Sequence, residues 1–319
     1  DLHPRVRRQR QMCIRDSVDS THFQTYGHQY GKAFNAHYQA QGFHPLMVFD
    51  GMTGDCLKVE LRAGNVYTSR NIVSFIGPLL SHYQKRFPSS YRIVRGDSGF
   101  AHKELYKLCE TLNTNYVIRL KANATLYRLA KEVMDVFLEE CSLQYSQQFY
   151  GEFEYQAKSW DRPRRVIVQV RRKAGELIPD YLFLVTNMET RPEMVISLYA
   201  KRGTMENYIK ECKNGFRMDK VSHKHWMTNV NRIQLMVLAY NLINGFRRLT
   251  LPHEFSKMQI ETLRIKLIKI AAKRVKQSRR IMFKLCSHHP YKEVFHHCLK
   301  TIQAIQLEYC LLYTSDAAD

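Results

Sequence analysis

The chain has 319 residues and 45% hydrophobic content, enough to bury a sizeable core and to build one large domain or two. A formal net charge of +20 and an isoelectric point near 9.6 point to nucleic acid or an anionic surface as partner. No apolar run approaches the length of a membrane span, no cleavable signal is visible, and the eight cysteines lack CxxC pairs, which reads as reduced thiols in a cytoplasmic, non-membrane protein.

The two ends stand apart from the rest. RRQRQMCIRDS (residues 7–17) and CLLYTSDAAD (residues 310–319) can be back-translated so that each coding strand is the reverse complement of the other. The shared DNA resembles the adapter used in transposase-based sequencing libraries. Residues 1–17 and 310–319 are therefore set aside as adapter artefact, and the native part is expected to run from about 18 to 309, truncated at both ends. A charge of about +19 stays in that middle portion, so the basic character does not come from the ends.

VDSTHF places Asp19 at the end of a strand whose earlier part lies in the excluded segment. Apolar runs at 45–49 and 56–61 flank the turn Asp50-Gly51-Met52-Thr53-Gly54-Asp55, a β-hairpin pattern in which turn chemistry accounts for both acids. Helical periodicity follows over 69–86 despite Pro78. YRIVRGDSGF then reads as a short strand ending at Asp97, followed by a helix over 102–112. An acid at that address is either a cap or a site residue of an α/β sheet. A strand at 116–120 and a helix over 125–141 come next.

From 143 to 187 the pattern becomes β-rich, with runs at 148–156, 165–172 and 181–185. Trp160, beside Arg162, Arg164 and Arg165, is a candidate for stacking on an unpaired base, the alternative being a buried or interface tryptophan. Residues 199–213 read as one helix carrying Tyr199, Arg202, Glu206, Lys210 and Lys213 near a single face. Residues 229–249 read as an apolar core helix. Residues 258–285 read as a basic helix whose Lys266, Lys269, Lys273, Lys276 and Arg280 form a stripe suited to the DNA backbone. The His288, His289, His296, His297 and Cys298 group lacks zinc-site spacing.

The pattern Y-x2-R-x3-E-x6-K, met at Tyr199, Arg202, Glu206 and Lys213, resembles the signature of the DDE transposases of bacterial insertion sequences, and RGDSGF resembles their second-aspartate motif. The likeness extends over nearly all of 18–249 and is greatest to the 1380 group. It implies an RNase H-like α/β fold, a mixed sheet flanked by helices, with a β-rich insertion at 143–187; the periodicity beyond it adds a helical C-terminal region at 250–309. The likeness implies Asp19, Asp97 and Glu206 as catalytic carboxylates holding two Mg2+ ions, with Mn2+ as a substitute. By the same resemblance Tyr199, Arg202 and Lys213 handle DNA phosphates, and Lys210, on the same helix face, is a further candidate for a phosphate contact. The partners implied are double-stranded DNA, namely terminal inverted repeats and target, bound by a homodimer. A metal-dependent nuclease or resolvase with the same core, and a non-catalytic DNA-binding remnant, are the competing readings.

Overall fold

The first described element, β1 (Cys13–Ser20), is an interior strand of a large sheet. The computed structural model describes residues 13–139, 144–278 and 280–305. Residues 1–12 and 310–319, most of the two ends read as adapter, lie outside them. Residues 13–17, however, belong to β1, so setting them aside from the fold was incorrect. Strand pairing on both sides of β1 holds them in place.

After β1 a small antiparallel sheet forms from β2 (Phe23–Gln24), β3 (Ala33–Asn35) and β4 (Ala40–Phe43). The hairpin of β5 (Leu46–Asp50) and β6 (Cys56–Glu60) appears as expected. Asp50 closes its turn by accepting from the backbone amides of Met52 and Thr53 and from the Thr53 hydroxyl. Gly54 supplies the positive φ, 75°, that the turn requires.

Helix α1 (Ile72–Arg86), β7 (Tyr91–Gly96), α2 (Lys103–Thr111), β8 (Asn115–Leu120) and α3 (Ala124–Glu139) follow within a few residues of their predicted limits. Next come β9 (Gln147–Tyr155), β10 (Arg164–Arg172) and β11 (Asp180–Thr186). These three were expected as an insertion. They extend the main sheet beyond β8, its order being β6-β5-β1-β7-β8-β11-β10-β9. The reason is edge pairing: β11 joins β8 antiparallel and satisfies the backbone groups that β8 would otherwise expose. β10 is buried along most of its length, as its Val-Ile-Val run suits.

Alternation along the strands builds two cores. Val94, Tyr116, Ile118, Val166, Val168, Phe183 and Val185 pack with residues of α1, α2 and α3. Ile93, Val117, Ile167 and Leu184 point the other way, against Val195 and Ile196 of α4 (Pro192–Ala200). α4 starts on Pro192, a residue that suits a first helical turn.

The expected single helix over 199–213 is two. α4 ends at Ala200 and α5 spans Gly203–Asn214. Between them Arg202 N donates to Tyr199 O at 2.8 Å and Met205 N to Arg202 O at 2.9 Å. These are three-residue spacings, so the α ladder breaks just where Gly203 lowers helix propensity.

The chain falls into two compact units, Asp1–Leu238 and Ala239–Asp319, with α6 (Trp226–Thr250) contributing to both. The core assignment for 229–249 holds only in part, because Ile233 and Tyr240 are buried while Leu235, Leu238, Leu242 and Leu249 are exposed. The second unit holds α7 (Ile260–Leu263), a π turn (Arg264–Ile268), the hairpin β12 (Ala272–Gln277) and β13 (Arg280–Leu285), and α8 (Lys292–Ala304). The predicted basic helix over 258–285 is therefore incorrect. Alternating residues in both arms pair around a tight turn at Ser278, and helical spacing lost to that pairing. Among the described residues no helix is long and apolar enough to cross a membrane.

Candidate active site

β1 and β7 run parallel and adjacent, with Ser17 opposite Arg95 as their last registered pair. Two residues further along each chain come Asp19 and Asp97, so the register alone sets the two acids side by side at one end of the sheet. Asp19 is 9% exposed. Its Oδ1 accepts from the Ser20 amide at 2.9 Å, and its Oδ2 accepts from Arg202 Nη2 at 2.5 Å. Asp97 caps the short 3-10 turn Ser98–Phe100 through Gly99 N at 2.9 Å, and its other oxygen lies 3.8 Å from Arg202 Nη2. Capping thus leaves its second oxygen turned toward Arg202.

Arg95, buried on the α4 side of β7, donates from Nη1 to Leu198 O at 3.0 Å. That bond ties the end of α4 to the sheet beside the acids, where the break before α5 delivers Arg202. The Asp19 carboxyl is raised to about 6: burial raises it most, Arg202 and the Ser20 amide pull it down, and the charges of Asp97 and, more weakly, Glu206 push it up. Tyr199 is raised by burial and feels the same set, Arg202 and Arg119 lowering it and Asp97 and Asp19 raising it.

Glu206 sits exposed in the first turn of α5. Its charge reaches Asp19, but among the described residues no three acidic, histidine or cysteine side chains form a ready metal-binding group. Asp19, Asp97 and Arg202 are therefore in contact, with Glu206 acting from further away. Lys213 is half-buried: its Nζ donates to His22 O at 2.9 Å and stands 5.8 Å from the Phe23 ring. It anchors the segment just after Asp19 rather than projecting as a free cation. Lys210 is exposed on α5.

Trp160 does not reach this region. It is 8% exposed, edge-on to Tyr106 and Tyr155, with the Arg164 guanidinium 5.6 Å from its ring. Arg164 is itself paired with Glu110 and Asp161. Trp160 is therefore a core residue, and its burial leaves no ring face open for the base stacking expected of it.

The basic stripe is dispersed for the reason given by the fold. Lys266 lies over Tyr291, 4.7 Å from the ring centre, and Lys269 follows the π turn. Lys273 and Lys276 on β12 are an odd number of residues apart and face opposite sides, and Arg280 opens β13. In the histidine group, His289 is engaged by Lys266 O and Cys298 by Thr250 O.

Sequence reasoning missed the other wall of the acidic cleft. A space of about 560 Å3 is lined by Asp19 and Asp97, and also by Phe34, Tyr38 and Tyr67. The signal available was the density of aromatic and histidine residues between 22 and 67.

A family model described as a transposase DDE domain, group 1, matches residues 2–307. No curated protein matches significantly. One solved structure to which the chain is similar is a piggyBac transposase synaptic complex with hairpin DNA, at 13% identity and a TM-score of 0.46, covering 74% of this chain and 46% of that one. The chain thus spans less than half the length of that transposase. With a family match over nearly its whole length, this chain belongs to the group 1 DDE transposase-domain family.

Proposed function

We propose that the chain is the catalytic region of a transposase of the 1380 insertion-sequence group, cutting DNA at element ends and joining the freed 3′ ends to target DNA. The observation that carries this is the placement of Asp19 and Asp97 at the ends of adjacent parallel strands, both within reach of Arg202. The sub-order β6-β5-β1-β7-β8, with antiparallel pairs up to β1 and parallel ones after it, supports an RNase H-like core.

Divalent ions fit the donors present. Asp19 and Asp97 offer hard oxygen ligands, and Asp19 is buried to a degree that disfavours its charge without a nearby cation. Asp19, Asp97 and Glu206 would hold Mg2+ or Mn2+, which when bound activates the attacking oxygen and stabilises the leaving one. Arg202 supplies the counter-charge on Asp19 in the structure and a planar donor fork that suits a DNA phosphate. Tyr199 borders the same acids, and Lys213 steadies the backbone after Asp19. DNA ends and target are the partners, and the chain acts as a homodimer.

The test is metal-dependent cleavage of DNA carrying the sequences that flank this gene, followed by 3′-OH strand joining. Asp19→Asn, Asp97→Asn and Glu206→Gln each should slow cleavage by about a hundredfold or more, while DNA binding persists. Cleavage without joining would favour the nuclease reading. A Glu206→Gln protein as fast as the parent would show that the third carboxylate is misassigned.

A further inference from the structure

The cleft beside the acids has a side that phosphodiester chemistry leaves unused. Phe34 and Tyr38, from β3 and the turn that follows it, and Tyr67, from the loop after β6, line the same space as Asp19 and Asp97. Their exposures are 48%, 43% and 68%, so three large rings meet solvent inside one concavity instead of joining the core. Among the described residues neither Phe34 nor Tyr67 is stacked on another ring, whereas Tyr38 stacks on His22 at 5.0 Å.

The wall is built to hold its shape. Arg62, buried, donates from Nη1 to the carbonyls of Thr68 and Arg70 at 3.1 and 3.2 Å and from Nε to His44 O at 3.0 Å. Asn35 Oδ1 accepts from the amides of His37 and Tyr38, and Asn35 Nδ2 donates to Gly64 O at 2.7 Å, bolting the turn to the loop. Gly64 is required there, since a Cβ would come 2.2 Å from Ala33 O. Such a site incurs little ordering cost when a ligand enters.

We infer that this wall is a nucleobase subsite, in which Phe34, Tyr38 and Tyr67 receive an unpaired base of the DNA next to the phosphate that lies at Asp19 and Asp97. The inference takes the DNA-processing reading above as its starting point. Among the described residues no Lys or Arg lines the space, and two carboxylates do, so a phosphate is not what the aromatic side accepts. A flat, uncharged, polar-edged group is, and aromatic faces stack on any base without regard to sequence. Inside a duplex both faces of each base are covered by neighbours, so the ligand must be frayed or turned out. Its volume falls in the range of small-ligand sites. Tyr38, Asp19 and Asp97 line one space, which puts the base position beside the acids.

The test uses the full chain in metal-free buffer with two oligonucleotides. One is a blunt duplex; the other has the same paired sequence and a three-nucleotide single-stranded end carrying 2-aminopurine. Binding is expected to quench the 2-aminopurine emission and to favour the single-stranded end about tenfold, the scale of one or two stacked bases. Phe34→Ala with Tyr67→Ala, both at exposed rings that the fold does not need, should bring that preference close to one. Tyr38→Ala should lower it and Tyr38→Trp restore it. Unchanged emission on binding, or a double variant that keeps the preference, overturns the subsite. Metal-dependent cleavage on the blunt duplex, measured separately, tells the two readings apart: cleavage without quenching removes only the subsite, and quenching without cleavage removes only the transposase chemistry.

Discussion

Arg202 and Asp19, 183 residues apart in sequence, meet as a 2.5 Å ion pair, and Arg202 also comes within 3.8 Å of Asp97. One guanidinium thus serves two acids delivered by neighbouring strands. It opposes the effect of burial on Asp19.

Removing that charge should therefore move Asp19 in a defined direction. In Arg202→Gln the burial effect is left without its main opponent, so the carboxyl titrates above its midpoint of about 6. Carbon-13 NMR of the aspartate carboxyls, with Asp19→Asn to assign the resonance, measures the shift. A midpoint that stays put or falls would mean that the ion pair does not form in solution.

Trp160 makes a different demand. Its removal should cost stability, on the order of 3–5 kcal/mol for Trp160→Ala, because the indole fills a buried space against Tyr106, Tyr155 and Arg164. Urea denaturation measures this. A variant of parental stability with weakened DNA binding would return Trp160 to the surface role.

Asp16 is the misfit of β1. It is 1% exposed, faces the same side as Val18, and neither carboxyl oxygen has a hydrogen-bond partner. Burial, reinforced by Asp50, holds its carboxyl well above the usual range, with Arg95 acting against them. An acid whose folded pKa is raised weakens the fold when ionised, and stability returns as the pH falls through that pKa toward the unfolded value near 4. Asp16→Val should accordingly stabilise the protein at pH 7.5 by about 1–3 kcal/mol, with a smaller gain at pH 5. An equal gain at both pH values would show that the charge is not the cause.

On the β12–β13 hairpin Lys273 pairs with Lys284, whereas Lys276 faces the opposite side. If the hairpin follows a DNA backbone, the two faces contribute unequally to the salt dependence of binding. Lys273→Ala with Lys284→Ala and Lys276→Ala alone should differ in the slope of log affinity against log salt, each lost phosphate contact flattening it by about 0.9. Identical slopes for both variants and the parent would remove the hairpin from the DNA path.

The sequence by itself was enough for the elements whose signals are local. Alternation in β7, β8, β10 and β11 and the apolar periodicity of α1 to α3 each report a buried face directly, so strands and helices were placed within a few residues. Asp97 was legible too, because an acid between a strand and a glycine needs only its neighbours to be recognised. Tertiary structure decided the rest, since it depends on partners far along the chain. Pairing with β5 and β7 drew residues 13–17 into β1, and the open edge of β8 is where the β-rich stretch joins the sheet. Cross-strand pairing around Ser278 overrode helical spacing in 258–285. Only packing could bury Trp160, and only the Arg95–Leu198 tie and the break at Gly203 could bring Arg202 to the acids. The aromatic wall went unseen for the same reason. Phe34, Tyr38 and Tyr67 share no periodicity, and it is the fold that closes them around one space.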